Sequence, residues 1–154
     1  MKTIHTVTIV GANGTMGRNI AAIFSSFGRA NVYLVSRSLE KSQGAKETAY
    51  QSVRAECIKS RMIPTDYSQL KDCIASSDLV FEACAEDWII KKEIHQKIAS
   101  TLEALPAAQV EDVYICSGTS GLSITSLAEL YTERLRSHVM GMHFFNPPYQ
   151  MTLC

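Results

Sequence analysis

The sequence predicts an α/β domain, a doubly wound and mostly parallel sheet with helices on both faces. Three observations carry that prediction. Short β-branched runs recur along the 154 residues, stretches with helical spacing alternate with them, and a glycine-rich turn joins the first strand to the first helix. No repeat, low-complexity tract or linker interrupts the pattern, so residues 1–154 read as one domain.

The elements follow in order. Thr6-Val7-Thr8-Ile9-Val10 reads as a buried strand ending at Gly11. Ile20, Ile23, Phe24 and Phe27 fall at helical spacing, with Gly28 as the stop. Val32 to Val35 forms a second strand, completing one strand–helix–strand unit. The polar stretch from Leu39 to about Lys59 is expected to be helical. Ile63 to Asp66 is expected to be a short strand, confined by Pro64 to an end or an edge. Tyr67 to Ser76 reads as a helix and Asp78 to Cys84 as a strand. Ile90, Ile94, Ile98 and Leu102 then mark the buried face of a helix spanning 86–102. Val113 to Cys116 is a strand, Ile124 to Tyr131 a short helix, and Val139 to Phe144 a last strand.

Composition narrows the function. Fifteen basic residues balance fifteen acidic ones, so no net field draws the chain to nucleic acid or to an anionic membrane. No stretch approaches a membrane span in length, and the opening apolar run is too short for a secretory signal. Five cysteines, odd in number and without a CxxC pair, fit a reducing compartment and supply no zinc-ligand spacing; no metal site is expected. The expected location is cytoplasmic.

Gly11-Ala12-Asn13-Gly14-Thr15-Met16-Gly17 sits between strand and helix, where a Rossmann-type fold carries its dinucleotide fingerprint. The chain must turn tightly there, let backbone approach a pyrophosphate, and pack helix on strand; glycine serves all three. N–H groups at the helix start, with the helix dipole, then hold phosphate charge. The spacing GxxGxxG is one residue longer than GxGxxG, and Asn13 tolerates the left-handed backbone such a turn can require. An NAD-binding domain usually places an acidic residue at the end of the second strand to hold the ribose hydroxyls. Here that position is Ser36, followed by Arg37, a pair better suited to a 2′-phosphate and hence to NADP. A solvated arginine at a strand end, with NAD bound, is the alternative.

The second half of the chain carries more specific motifs. Gly141-Met142-His143-Phe144-Phe145-Asn146-Pro147 resembles the HFFNP block of 3-hydroxyacyl-CoA dehydrogenases. Ser117-Gly118-Thr119-Ser120-Gly121-Leu122 resembles that family's SNTSSL loop. Asp78 to Ala83, with Glu86 and Lys91, resembles its DLVxEAxxE…K segment. The resemblance implies NAD as cofactor, an acyl-CoA substrate, a homodimer, and exchange of hydride between C3 of a 3-hydroxyacyl-CoA and the nicotinamide. It assigns His143 as general base, a role suited to a side chain whose ordinary pKa lies near neutrality. Ser120 would bond the substrate oxygen and the histidine, Asn146 would polarise the thioester or keto oxygen, and Glu86 and Lys91 would lie against the nicotinamide ribose. Each has a simpler reading: His143 as a core histidine at a strand end, Ser120 as the cap of a helix starting near Ser123, Asn146-Pro147 as a turn, Glu86 and Lys91 as a solvated pair.

Three departures from the family pattern stand out. The family's histidine is oriented by a glutamate twelve positions on, which here would be position 155, and the family's helical C-terminal domain is also absent; a trimmed longer protein with little turnover of its own is therefore expected, and Met151 to Cys154 read as mid-strand. Gly118 replaces an asparagine, and the helical hairpin used in CoA recognition is shortened between Leu39 and Met62. Two other readings remain at this point. Met16-Gly17-Arg18 after GxxG also occurs in prephenate dehydrogenases and related β-hydroxy-acid enzymes, which leaves HFFNP unexplained. A non-catalytic nucleotide-binding module is the other.

Overall fold

A computed structural model describes residues 3–146 and 148–149. Six strands form one sheet: β1 (Thr6–Val10), β2 (Asn31–Ser36), β3 (Met62–Asp66), β4 (Leu79–Glu82), β5 (Tyr114–Ser117) and β6 (Val139–Gly141). Their spatial order is β3-β2-β1-β4-β5-β6 and every neighbouring pair is parallel. The direction of winding reverses between β1 and β4, so the carboxyl ends of those two strands open a crevice of the kind in which ligands bind such sheets.

The central strands β1 and β4 are almost wholly buried because both faces of the sheet are covered. Alternation along β1 separates two cores. Val7 and Ile9 pack with Ile20, Ala21 and Ala22 of helix α1 (Thr15–Ser26) and with Ala49 of α2 (Leu39–Val53). Val10 points the other way, into a cluster with Leu70, Cys73 and Ile74 of α4 (Leu70–Ala75) and Ile94, Ile98 and Leu102 of α5 (Trp88–Glu103). Each such aliphatic side chain, fully buried, contributes about 1.5–3 kcal/mol. Small residues on α1 let that helix approach the strand closely.

The remaining helices are short: α3 (Cys57–Arg61), α6 (Ala107–Val110), α7 (Ile124–Ala128) and α8 (Glu133–Arg136). Among the described residues no helix is long and apolar enough to cross a membrane. The four described cysteines, Cys57, Cys73, Cys84 and Cys116, are free thiols.

Several local expectations are corrected. The polar stretch after β2 is two helices, because Arg54 ends α2 in the left-handed region at φ 53°. The first helix stops where Gly28 suggested, yet the left-handed residue there is Arg29, at φ 55°. Tyr67–Gln69 forms a 3-10 turn ahead of α4. Ile90 is 44% exposed; the buried face of α5 runs through Lys91, Ile94, His95, Ile98, Ala99 and Leu102. The helix after Ser123 ends at Ala128, and α6 and α8 follow no strong periodic signal. Strand β6 ends at Gly141, so His143 stands past the strand on irregular backbone. Pro64 does lie in an edge strand, β3. Pro147 and the expected strand at Met151 to Cys154 lie outside the described residues.

Candidate active site

The glycine turn is held against the sheet by its own backbone. The N–H groups of Gly11 and Ala12 both donate to the carbonyl of Val35 on β2, at 3.0 and 3.1 Å. Gly11 sits at φ +85°, and a Cβ there would lie 2.8 Å from the carbonyl oxygen of Ala83. A Cβ on Gly17 would lie 2.5 Å from the carbonyl oxygen of Gly11, so only glycine lets the helix close onto the turn. Gly14 is the N-cap of α1, with no side chain capping the helix and no acidic residue in its first turn. The first N–H groups of α1, from Thr15 to Gly17, thus have no intrahelical acceptor and no competing carboxylate, as phosphate binding requires. Asn13 is half-buried within the turn.

At one end of the turn, β2 finishes at Ser36. This residue is 1% exposed, and its hydroxyl has no hydrogen-bond partner among the described residues. A buried, unpaired hydroxyl beside a phosphate-type turn is costly unless a ligand satisfies it. Arg37 follows in solvent. The β2–β3 register also places Asp66 opposite Ser36, its carboxylate accepting from the N–H of Ser68 at 2.9 Å. Counting along β2 could not find Asp66, since strand register alone brings it there.

At the other end, the first turn of α1 meets the tips of β4 and β5 around a cavity of about 180 Å³, lined by Met16, Phe81, Cys84, Glu86, Ser120 and His143 among others. His143 is half-buried, with Nδ1 3.4 Å from the carbonyl oxygen of Gly118 and its ring edge-on to Phe145 at 5.3 Å between centroids. A carbonyl only accepts, so this contact assigns the proton of the neutral ring to Nδ1 and leaves Nε2 as the basic nitrogen. Ser123, rather than Ser120, caps the following helix, accepting from the N–H of Ser126. The Ser120 hydroxyl has no protein partner among the described residues. Asn146 is exposed on a bend beyond the cavity.

Glu86 is not part of a solvated pair. Its Oε1 accepts from the Thr119 hydroxyl at 2.6 Å and from the N–H groups of Ser120 and Gly121, each at 2.9 Å. Partial burial opposes its charge, but the Thr119 hydroxyl, the two N–H groups and Lys91 together hold its carboxyl below the usual range. Lys91 is 1% exposed and lies beneath the cavity. Its ammonium donates to both oxygens of Glu82, at 2.8 and 2.9 Å, and to the carbonyl of Cys84, at 3.4 Å; it stands 3.7 Å from Oε2 of Glu86. Glu82 also accepts from the Ser117 hydroxyl at 2.7 Å and from the Cys84 N–H at 2.6 Å, and Nε2 of His95 stands 3.6 Å away. Burial alone would raise the Glu82 carboxyl; His95, Lys91 and Ser117 outweigh it and hold the pKa down at about 2. His95 meets the Tyr131 hydroxyl through Nδ1 at 2.7 Å. His95, Tyr131 and Thr119 were not singled out by sequence. The available signal was Lys91 and His95, four apart, sharing a helical face with Ile94 and Ile98.

A parallel sheet in this order, with a phosphate-type glycine turn at the switch point, is the architecture of a dinucleotide-binding domain. The chain belongs to the 3-hydroxyacyl-CoA dehydrogenase family: residues 6–154 match the model of its NAD-binding domain. It is 32% identical to a 3-hydroxybutyryl-CoA dehydrogenase of Clostridioides difficile, over 96% of this chain and 52% of that protein. It is 31% identical to the 3-hydroxyadipyl-CoA dehydrogenase of Escherichia coli, over 99% of this chain and 32% of that one. Among solved structures, the 3-hydroxybutyryl-CoA dehydrogenase of E. coli K12 superposes with a TM-score of 0.76 at 28% identity, covering 97% of this chain and 31% of that one. FadB2 of M. tuberculosis shares the fold, with a TM-score of 0.80 at 23% identity over 97% of this chain and 52% of that one. The chain thus spans about half the length of the first of these relatives. Family membership favours the HFFNP-based reading over the prephenate dehydrogenase one.

Proposed function

We propose that this chain supplies the dinucleotide site and the general base of an oxidoreductase acting on a 3-hydroxyacyl-CoA, converting it to the 3-ketoacyl-CoA or the reverse. The observation that carries the reading is the shared cavity: Met16 at the start of the phosphate-binding helix, Ser120 and His143 line one space. A bound nicotinamide would supply the hydride chemistry at C3. Nε2 of His143 takes the hydroxyl proton, while Nδ1 is held by the Gly118 carbonyl. Ser120 donates to the substrate oxygen, and Asn146 turns its amide toward the thioester or keto oxygen. Glu86 and Lys91 act at the ribose end, Glu86 through Oε2 and Lys91 by fixing the charge beneath it.

The N–H groups of Thr15, Met16 and Gly17 would hold the phosphates, with Gly11, Asn13 and Gly14 shaping the turn that brings them close. The unpaired Ser36 hydroxyl and the Arg37 guanidinium favour a 2′-phosphate, hence NADP over NAD; with NAD, Asp66 is the group placed to take the ribose. On this reading the chain sits in the cytoplasm, as its cysteine usage suggests, and in a homodimer, as the resemblance implies.

The test follows the imidazole resonances of His143 by NMR. With saturating NADH or NADPH present, acetoacetyl-CoA is expected to shift the His143 and Ser120 signals, and His143→Gln to abolish substrate-dependent shifts at Ser120. A response to dinucleotide with none to acyl-CoA would leave a nucleotide-binding module and overturn the proposal.

A further inference from the structure

One oxygen of Glu86 gathers three donors from consecutive residues of the loop after β5: the Thr119 hydroxyl and the N–H groups of Ser120 and Gly121. Thr119 in turn accepts from the Leu122 N–H at 3.0 Å, while its own N–H meets the Ser117 hydroxyl at 3.3 Å. Ser117 is anchored on Glu82. The loop is therefore fixed at its base by a buried carboxylate and at its tip by a half-exposed one from a different element. Charge-assisted bonds to backbone N–H groups are the stronger kind, and three on one oxygen leave Ser120 little freedom to turn away from the cavity. The second oxygen, Oε2, is left to Lys91 and to the cavity side.

We propose that Glu86 is the positioning residue for Ser120, holding the serine loop so that the hydroxyl faces the same cavity as His143. The role rests on the functional reading of Ser120 given above. It makes the loop sensitive to whatever occupies the other oxygen, so the cofactor ribose and the substrate hydrogen bond are mechanically linked through one carboxylate.

Two readouts on the 154-residue chain test it. Glu86→Ala is expected to raise amide hydrogen exchange at Ser120 and Gly121 by about tenfold or more, with exchange at Val80 and Ile115 unchanged. Acetoacetyl-CoA binding to the NADH-loaded chain should weaken about tenfold in Glu86→Ala and in Ser120→Ala, and no further in the double variant, the non-additivity expected of residues acting as a unit. Glu86→Gln, which keeps an acceptor oxygen, should recover most of both losses. Unchanged exchange at Ser120 and Gly121 would overturn the proposal, as would strictly additive binding losses. Were no variant, nor the parent, to bind acyl-CoA, the functional reading would fail, and the exchange result would still decide whether Glu86 holds the loop.

Discussion

Lys91 places its ammonium within 2.9 Å of both carboxylate oxygens of Glu82, and neither side chain reaches solvent to more than 1%. Two ions so deeply buried each carry a desolvation cost, which their mutual attraction and the bonds from Ser117, the Cys84 N–H and the Cys84 carbonyl must offset. Removing one partner leaves the other charge stranded. Lys91→Met is expected to cost about 3–5 kcal/mol, and the double change Glu82→Gln with Lys91→Met clearly less than the sum of the two single changes. Urea unfolding of the four proteins checks both statements.

The same pair sets a pH dependence. The folded Glu82 carboxyl titrates at about 2, below its ordinary 4.5, so its ionised form stabilises the fold above that ordinary value. That contribution is lost as the pH falls from about 4.5 toward 2. Thermal melts across this window should show a steep acid limb in the parent, flattened in the double variant.

The three turn glycines should separate into two kinds. Gly11→Ala meets strain from the positive φ and the Ala83 carbonyl, and Gly17→Ala meets the Gly11 carbonyl; each should destabilise by about 1–3 kcal/mol or more. At Gly14 a Cβ would stand 3.4 Å from the Gly11 carbonyl, an ordinary contact. Gly14→Ala should therefore melt within about 0.5 kcal/mol of the parent while losing dinucleotide affinity, because the methyl group occupies phosphate space. Paired unfolding and binding titrations distinguish a structural glycine from a functional one.

Cofactor choice is expected to turn on the end of β2. Arg37→Ala should weaken NADPH binding by about tenfold and leave NADH nearly unchanged, whereas Ser36→Asp should reverse the preference toward NADH. Fluorescence titration with both dinucleotides measures the ratio. A parent chain that clearly prefers NADH removes the 2′-phosphate assignment and points to Asp66.

Cys84 lines the cavity, but burial, followed by the negative charge of Glu82, pushes its thiol up to about 11. Alkylation by iodoacetamide at neutral pH should be at least about tenfold slower than for a free thiol, read by peptide mass mapping.

The parallel sheet was legible because short apolar runs alternate with helical stretches, and because β-branched β1 leads into the glycine turn that fixes the first unit. Motif resemblance singled out His143 and Ser120, and both line one cavity, while their roles rest on the proposal. What sequence could not supply is what strand register and helix rotation decide. Asp66 meets Ser36 only through β2–β3 pairing. Lys91 is charged and five residues from Glu86, which reads as a surface pair until the rotation of α5 turns it inward toward Glu82. The periodicity of α5 held at Ile94, Ile98 and Leu102 and failed at Ile90, which lies in the first turn of the helix and is exposed.

The most direct test of the central claim, that the glycine turn and the His143 cavity form one dinucleotide site, is calorimetric titration of the chain with NADH and NADPH. Saturable binding of one dinucleotide per chain is expected, lost in Gly14→Ala and accompanied by shifts in His143 resonances. No binding of either dinucleotide at about millimolar concentration, where even weak specific sites fill, would contradict it.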